Sequence, residues 1–557
     1  MKSWWKEGII YQIYPISFKD SNGDGCGDLN GVIEKLDYLV ELGVNIIWFS
    51  PYLQSPYVDN GYDISDYHAI DSRFGTMQDW EHLVCEMHKR GLKLIMDLVV
   101  NHCSDQHIWF KEALKSKDNP YRDYFIWRDG KTKTTPPNNW TSHFGNSAWE
   151  YSAATEQYYL HLFAKEQPDL NWSNPAVRKE IFAIMNFWAQ KGVDGFRLDV
   201  MHAFAKPIDF PDGNADKYSP VGSEFYSNTP TNHEYIKELN KEVFSKYDLF
   251  TIGETGNVTV DDAILYTADE SHEVNTVFQF QHVYTTPDID VNGYYTGKSS
   301  TKELKDTLSK WQCGVNGRGW NSLFLSNHDQ PRQISRFGNA DTYHNKSAKM
   351  LATILHLQQG TPCIYQGEEL GMTNLKVSSI EEVNDISSIG NYYEKLAANP
   401  GTDDILLSEI NAFGRDNSRT PMQWDNSANA GFTSGTPWLR VNPNYLQLNA
   451  QEQLRDADSV FHYYQKLNRL RKANPVVVYG DFTPYYENSE LLFVFTRTLN
   501  DRRLLVIANI TDEPAPYHHL EELSFKNSEL YIANYDCPKE PQDCLLRPFE
   551  VQAFLLY

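Results

Sequence analysis

The chain has 557 residues, 41% of them hydrophobic and 22% charged, with a formal net charge of −24 at pH 7. Such a length predicts two or three domains rather than one core, and so negative a balance argues against a nucleic-acid or anionic-membrane partner. No apolar run approaches bilayer-spanning length, the N-terminal MKSWWKEGIIYQIYP lacks the basic and apolar regions of a secretory signal, and seven scattered cysteines suit reduced thiols in a cytoplasm rather than a disulfide framework or zinc site.

In chain order, strand-like and helix-like runs alternate. IIYQIYP (9–15) precedes the amphipathic VIEKLDYLVELG (32–43), NIIWFSP (45–51) precedes WEHLVCEMHKRG (80–91), and LKLIMDLVV (92–100) follows. Further strands are expected at 193–199, 249–254, 274–280, 322–326 and 362–366. Eight strands in βαβα alternation predict a closed parallel (β/α)8 TIM barrel with helices outside. Residues 103–174, rich in Trp, Tyr, Asn and Pro, interrupt the rhythm and read as an inserted subdomain after the third strand. A second interruption covers 203–232. From 480 onward, short alternating runs such as LLFVFTRT and RLLVIANI predict a C-terminal antiparallel β-sandwich over 480–557, leaving 1–102 and 175–479 to the barrel. A bridge between Cys537 and Cys544, close in sequence, is a minor alternative to free thiols.

Four segments end apolar runs in charged residues: DLVVNH (97–102), DGFRLDV (194–200), TIGET (251–255) and LSNHD (325–329). This is how buried parallel strands look when their C-terminal ends open into a site. Asp199 alone reads most simply as an ion pair with Arg197, two residues away on the same strand face. Asp199, Glu254 and Asp329 on three strand ends, with His102 and His328 beside them, are better explained by chemistry, because converging carboxylates repel. Two carboxyls suit glycosidic-bond cleavage, one as nucleophile and one as acid and base, about 5–5.5 Å apart in retaining enzymes. Arg197 would keep Asp199 ionised and oriented. The aromatic content of 14% fits a large core and also leaves rings to stack on sugars. In DSNGDGCGD (20–28), Asp20, Asn22, Asp24 and Asp28 alternate around glycines, with the Cys26 carbonyl as an extra oxygen. The residues alone fit either a Ca²⁺ loop or an Asx-rich turn. His68, His82, His88 and His356 read as surface or packing residues, EEVND (381–385) as a solvated face, and Cys103 as a small core residue.

The segments DLVVNH, GFRLDV, GET and NHD, in this order and spacing, resemble the signature regions of the α-amylase superfamily of glycoside hydrolases. WWKEGIIYQIYP, DNGYDISDY, QPDLNW, GRDNSRTPMQW and VNPNY extend the likeness over nearly the whole chain, to the oligo-1,6-glucosidase and dextran glucosidase subgroup. The resemblance implies Asp199 as nucleophile, Glu254 as general acid/base and Asp329 as the third carboxylate that binds and distorts the sugar. It implies that His102 and His328 bond sugar hydroxyls, and that Asp59, Arg197 and Arg415 complete the pocket. Tyr62 and Phe163 would wall it, and Gln167 would reach in from the insert. It also favours structural Ca²⁺ in the 20–28 loop, with Mg²⁺ as the alternative, and no organic cofactor.

The expected activity is that of a retaining exo-acting α-glucosidase, a cytoplasmic monomer, releasing glucose from the non-reducing end of isomaltose, panose and short isomalto-oligosaccharides. In the resembling subgroup Val200, directly after the nucleophile, goes with α-1,6 cleavage, whereas Thr there goes with α-1,4-glucosidases. Gly256, where some dextran-acting relatives carry an aromatic, implies a roomy or weaker product-side subsite. Alternatives within the family are a trehalose-6-phosphate hydrolase, which needs a cationic phosphate pocket, and a sucrose isomerase or hydrolase, although QPRQISRFGN after NHD looks like the hydrolases. A non-catalytic partner protein is the remote alternative, since this chain keeps all three carboxylates and shows no anchor.

Overall fold

The computed structural model describes residues 3–536 and 538–557; Cys537, and with it the Cys537–Cys544 alternative, lies outside the described residues. Eight strands run parallel: β1 (Ile10–Ile13), β2 (Ile46–Phe49), β3 (Lys93–Leu98), β4 (Gly195–Leu198), β5 (Phe250–Thr255), β6 (Thr276–Gln279), β7 (Ser322–Leu323) and β8 (Thr361–Tyr365). They bond in the order β6-β5-β4-β3-β2-β1-β8-β7, and a parallel bridge between Val277 and Asn321 joins the two ends. This is the TIM barrel that the alternation predicts. Strand β7 is shorter than the expected 322–326, because beyond Leu323 the chain leaves the ladder for the turn that carries Asn327–Asp329.

Alternation of side chains along each strand sorts the residues. Ile10, Ile46, Trp48, Ile95, Phe250, Ile252 and Phe278 fill the barrel interior as one cluster. Their neighbours Ile9, Tyr11, Ile47, Phe49, Leu94 and Met96 face outward into the core beneath the helices. The same two-residue step carries Ile95 to Asp97, Gly195 to Arg197 and Asp199, and Ile252 to Glu254. All four charged groups therefore inherit the inward register. Strands β4 and β5 pack closely enough that a Cβ on Gly195 would sit 2.0 Å from the Phe250 carbonyl oxygen.

The outer helices follow from local signals. The helix Met77–Lys89 opens with a Thr76/Asp79 capping box and buries Trp80, Leu83, Val84 and Met87, the i, i+3, i+4, i+7 stripe. The second interruption stops short of 232. Pro230 at the first helical position and Thr229 as cap start the helix Pro230–Glu242, since Pro costs nothing where an N–H would be unpaired anyway.

Within 103–174 the chain forms the helix Ile108–Ala113 and a three-stranded antiparallel sheet, Gln157–Leu160 lying between Trp127–Arg128 and Trp149–Ser152. Trp140, Trp149, Tyr158 and Leu160 pack with Val200, Ala203, Phe210 and Tyr226, all beyond β4. Lys206 Nζ ties the two segments, 2.6 Å from Asp169 Oδ2 and 2.6 Å from Asn101 Oδ1. A five-stranded antiparallel sheet follows, ordered Asp481–Tyr485, Leu492–Leu499, Arg502–Asn509, Val551–Leu556, Ser528–Ala533. Leu492, Val494, Leu505 and Ile507 face the small sheet of Ala515–Tyr517 and Cys544–Leu546. The alternate residues Phe493, Phe495, Leu504 and Val506 join the main core.

Candidate active site

The C-terminal ends of the barrel strands and the loops beyond them enclose one cavity. Of the sequence-predicted residues, Asp59, Tyr62, His102, Phe163, Asp199, Val200, Glu254, Asp329 and Arg415 line it. Gln167, Arg197 and His328 lie behind this lining, each at most 2% exposed. They act on the cavity through the residues in front of them.

Arg197 organises one wall. Its Nη1 contacts Asp199 Oδ1 at 2.7 Å and Asp97 Oδ1 at 2.8 Å, and its Nη2 contacts Glu254 Oε2 at 2.9 Å. The parallel register sets Asp97 directly beside Arg197. Tyr62 Oη and Trp48 Nε1 donate to the other Asp97 oxygen. Burial pushes the Asp199 carboxyl well above its ordinary range; Arg197 opposes this, and Glu254 and Asp97 add to it. One guanidinium faces three enclosed carboxyl groups, an imbalance that opposes ionising all of them at once.

Val200 takes φ +46°, a left-handed conformation that costs a β-branched residue about 1–3 kcal/mol. Two contacts hold it there. Its N–H donates to Glu254 Oε2 at 2.8 Å, and its side chain is buried in the core of the inserted segment.

The opposite end of the cavity is a charge network. Asp329 accepts from Arg419 Nη2 at 2.8 Å and Arg415 Nη1 at 3.3 Å, and lies 3.0 Å from His328 Nε2. Enclosure works to raise Asp329, but His328, Arg415 and Arg419 draw it well below the usual carboxylate range. Arg415 also reaches Asp59 Oδ1 at 3.1 Å and Asp385 Oδ1 at 2.6 Å. Gln167 Nε2 donates to Asp59 Oδ2 at 3.2 Å, which orients it from behind. The Gln12 amide lies 2.8 Å from His328 Nδ1, leaving the Nε2 proton to face Asp329 and Tyr62. His102 Nε2 bonds the Tyr62 carbonyl at 3.0 Å, and burial lowers its pKa. The His328 ring stacks on Tyr62, and His102 and Phe163 meet at 5.1 Å.

Several residues of this site escape the sequence reading. Asp385, read as part of a solvated acidic face, is 1% exposed. It caps the helix Ile386–Ala398 and clamps Arg415. Its signal was the step from Asp to a helical run, an N-cap rather than a charge patch. Asp97, Arg419, His143 and His202 were also not singled out. The first two sit inside quoted motifs, where alternation from Ile95 and the i+4 step from Arg415 would have flagged them. The two histidines carry no signal. Gly256 lines the cavity, and a Cβ there would meet the His202 ring at 3.0 Å.

Asp20, Asn22, Asp24, Cys26 and Asp28 occupy the loop after β1, and none lines the cavity. Asp20 accepts from the N–H groups of Asn22, Gly23 and Gly25, Asn22 from Asp24, and Asp24 from Cys26, while Asp28 accepts from Ser21 and Gly31. These hydrogen bonds form the Asx-rich turn that the residues alone also fit. Among the described residues, no three His, Cys, Asp or Glu side chains group to hold a metal. A site here would therefore also need Asn22 and the Cys26 carbonyl.

The alpha amylase, catalytic domain family model matches residues 12–480. The chain belongs to that family. It is an α-amylase-family glycoside hydrolase with the family's TIM barrel. It is 52% identical to the oligo-1,6-glucosidase of Parageobacillus thermoglucosidasius, over 99% of this chain and 98% of that protein. Among solved structures, the trehalose-6-phosphate hydrolase of Bacillus licheniformis superposes with a TM-score of 0.93 at 47% identity, and the isomaltulose synthase of Klebsiella sp. LX3 with 0.94 at 41%. Both matches cover 100% of each chain.

Burial works to raise Asp385, but Arg415 and Arg419 hold it down, to about 2. A depressed carboxyl stabilises the fold above its unfolded pKa of ~3.9, and that contribution is lost as pH falls toward the folded value. Asp385→Asn is therefore expected to cost about 2 kcal/mol at pH 7, the deficit narrowing below pH ~4. Denaturant titrations at pH 7 and at pH ~3 measure this; an equal deficit at both would remove charge as the cause.

Proposed function

We propose that this glycoside hydrolase is a retaining exo-α-glucosidase that cleaves α-1,6 bonds of isomaltose, panose and short isomalto-oligosaccharides from the non-reducing end. The carrying observation is that two nitrogens of one guanidinium hold Asp199 and Glu254 side by side on adjacent strands. That arrangement suits the close carboxyl spacing of retaining enzymes rather than the wider gap of inverting ones. Asp199 attacks C1 as Glu254 gives its proton to the leaving oxygen, forming a covalent glucosyl-enzyme. Glu254 then takes a proton from water, which attacks C1 and releases Asp199. Arg197 and the neighbouring carboxylates favour one mobile proton shared in this group.

Asp329, Arg415 and Asp59 are proposed to bind the terminal sugar, positioned by Gln167 and His328, with His102 beside it and Tyr62 and Phe163 as walls. Their mutual ion pairs close that end of the cavity, which suits exo action. Arg415 is the one Lys or Arg among the described lining residues, and three carboxylates surround it. Such an environment disfavours a phosphorylated sugar. The same reading takes the protein as a monomer. Every cysteine among the described residues is free, in keeping with a cytoplasmic location.

Asp199→Asn and Glu254→Gln are each expected to reduce turnover at least a thousandfold, and NMR should find α-glucose as the first sugar released. Initial β-glucose would refute retention.

Linkage preference is assigned to Val200. An apolar wall suits the flexible methylene of a 1,6 link, whereas a Thr hydroxyl could anchor a 1,4-linked acceptor. One such hydrogen bond discriminates by about 1–3 kcal/mol, roughly tenfold or more. Higher kcat/KM on isomaltose than on maltose is expected, with Val200→Thr shifting the ratio toward maltose. A wild-type preference for maltose would sink the assignment.

We also propose that the 20–28 loop binds Ca²⁺ structurally, Mg²⁺ being the alternative, with the oxygens of Asp20, Asn22, Asp24 and Asp28 and the Cys26 carbonyl as ligands. A cation bound only by the folded state stabilises it by mass action. EDTA should lower the melting temperature and excess Ca²⁺ restore it, with little change in kcat of the folded enzyme. No shift with either addition would count against the site.

A further inference from the structure

Beyond Glu254 the cavity wall carries two imidazoles that bond cleavage does not use. His202, 5% exposed, lies three residues past Asp199. The Gly256 N–H donates to its Nδ1 at 3.0 Å, which places the ring proton on Nε2. His143 comes from the inserted segment and lies flat against Phe163, ring centroids 4.8 Å apart and planes 10° apart. Phe163 also contacts His102, at 5.1 Å. His143 Nε2 is buried and has no hydrogen-bond partner within the protein. Buried unpartnered imidazole nitrogens also occur at His282 and His356, but of these histidines only His143 lines the cavity, and His202 lines it too.

We propose that His143 and His202 form a paired-imidazole wall that hydrogen-bonds the hydroxyls of the leaving sugar and makes the enzyme selective for sugar over non-sugar leaving groups. Position gives the first reason. Glu254 protonates the leaving oxygen in the reading above, on which this proposal rests. The Gly256 N–H that holds His202 follows Glu254 by two residues, so the ring stands where the leaving group departs. Protonation gives the second. Burial lowers both rings to about 4; His202 and His102 further lower His143 against the pull of Asp169 and Glu254, and Lys206 further lowers His202 against a backbone hydrogen bond to Glu254. A neutral imidazole has one donor and one acceptor, which matches a sugar hydroxyl. A protonated pair would instead favour an anion.

The test uses two single variants, His143→Phe, which keeps the stack on Phe163, and His202→Asn, which keeps a shorter donor. Variants whose melting temperature stays within a few degrees of wild type are assayed on isomaltose and on p-nitrophenyl α-glucoside, whose leaving group has no sugar hydroxyls. The expected result is a fall of about tenfold in kcat/KM for isomaltose with less than twofold change for the aryl glucoside. The transfer of glucosyl groups to added glucose should drop in parallel. Equal losses on both substrates, or none on either, would overturn the wall. A wild-type preference for another disaccharide overturns only the linkage reading; the same ratio, taken on that disaccharide, still decides the wall.

Discussion

Inside the barrel mouth, one guanidinium faces three carboxyl groups. Arg197 lies between Asp97, Asp199 and Glu254, on three adjacent strands, and the pleat directs all four side chains inward. Removing Arg197 from so buried a cluster would leave its carboxyl groups uncompensated, at a cost of about 3–5 kcal/mol. The arrangement also carries a chemical consequence. It holds two carboxyls together, fixes the oxygen of each that faces the arginine, and leaves excess negative charge that favours retaining a proton. A retaining mechanism needs a proton on one carboxyl and a free pair on the other. The same imbalance supplies both.

The inserted segment completes what the barrel cannot. Val200 holds a conformation unfavourable to its own side chain, and in it the Val200 N–H donates to Glu254. The packing of Trp140, Trp149 and Tyr158 around it offsets the strain. The Lys206–Asp169–Asn101 contacts lock this packing to the loop that follows β3. The insert thus reaches the cavity through backbone geometry as well as through Phe163 and His143.

Two regions of opposite character frame the cavity. At the closed end, Asp59, Asp329 and Asp385 surround Arg415, and fixed charges there can orient a sugar ring without rearranging. Elsewhere the lining includes Val200, Gly256, Phe280 and the imidazoles of His143 and His202. A ring held by charge at one end and by weaker, adjustable contacts at the other matches an enzyme strict about the terminal sugar and graded in what it accepts beyond it.

The sequence by itself determined the barrel, because buried parallel strands must be apolar runs and their number and spacing are local facts. It also determined the carboxylates, because a charge ending such a run is costly unless used. Tertiary structure alone decided which charges share a partner. Asp385 stands 30 residues from Arg415 and looked like a solvent-facing cluster until the fold brought the two together. His143 and His202 stand 59 residues apart in the chain and line one wall because the insert folds back over the loop after β4. That the His202 ring lies against Gly256 is likewise a fact of the fold alone. Local chemistry names the groups that can react; their neighbours, protonation and access depend on long-range packing, which no short window of sequence contains.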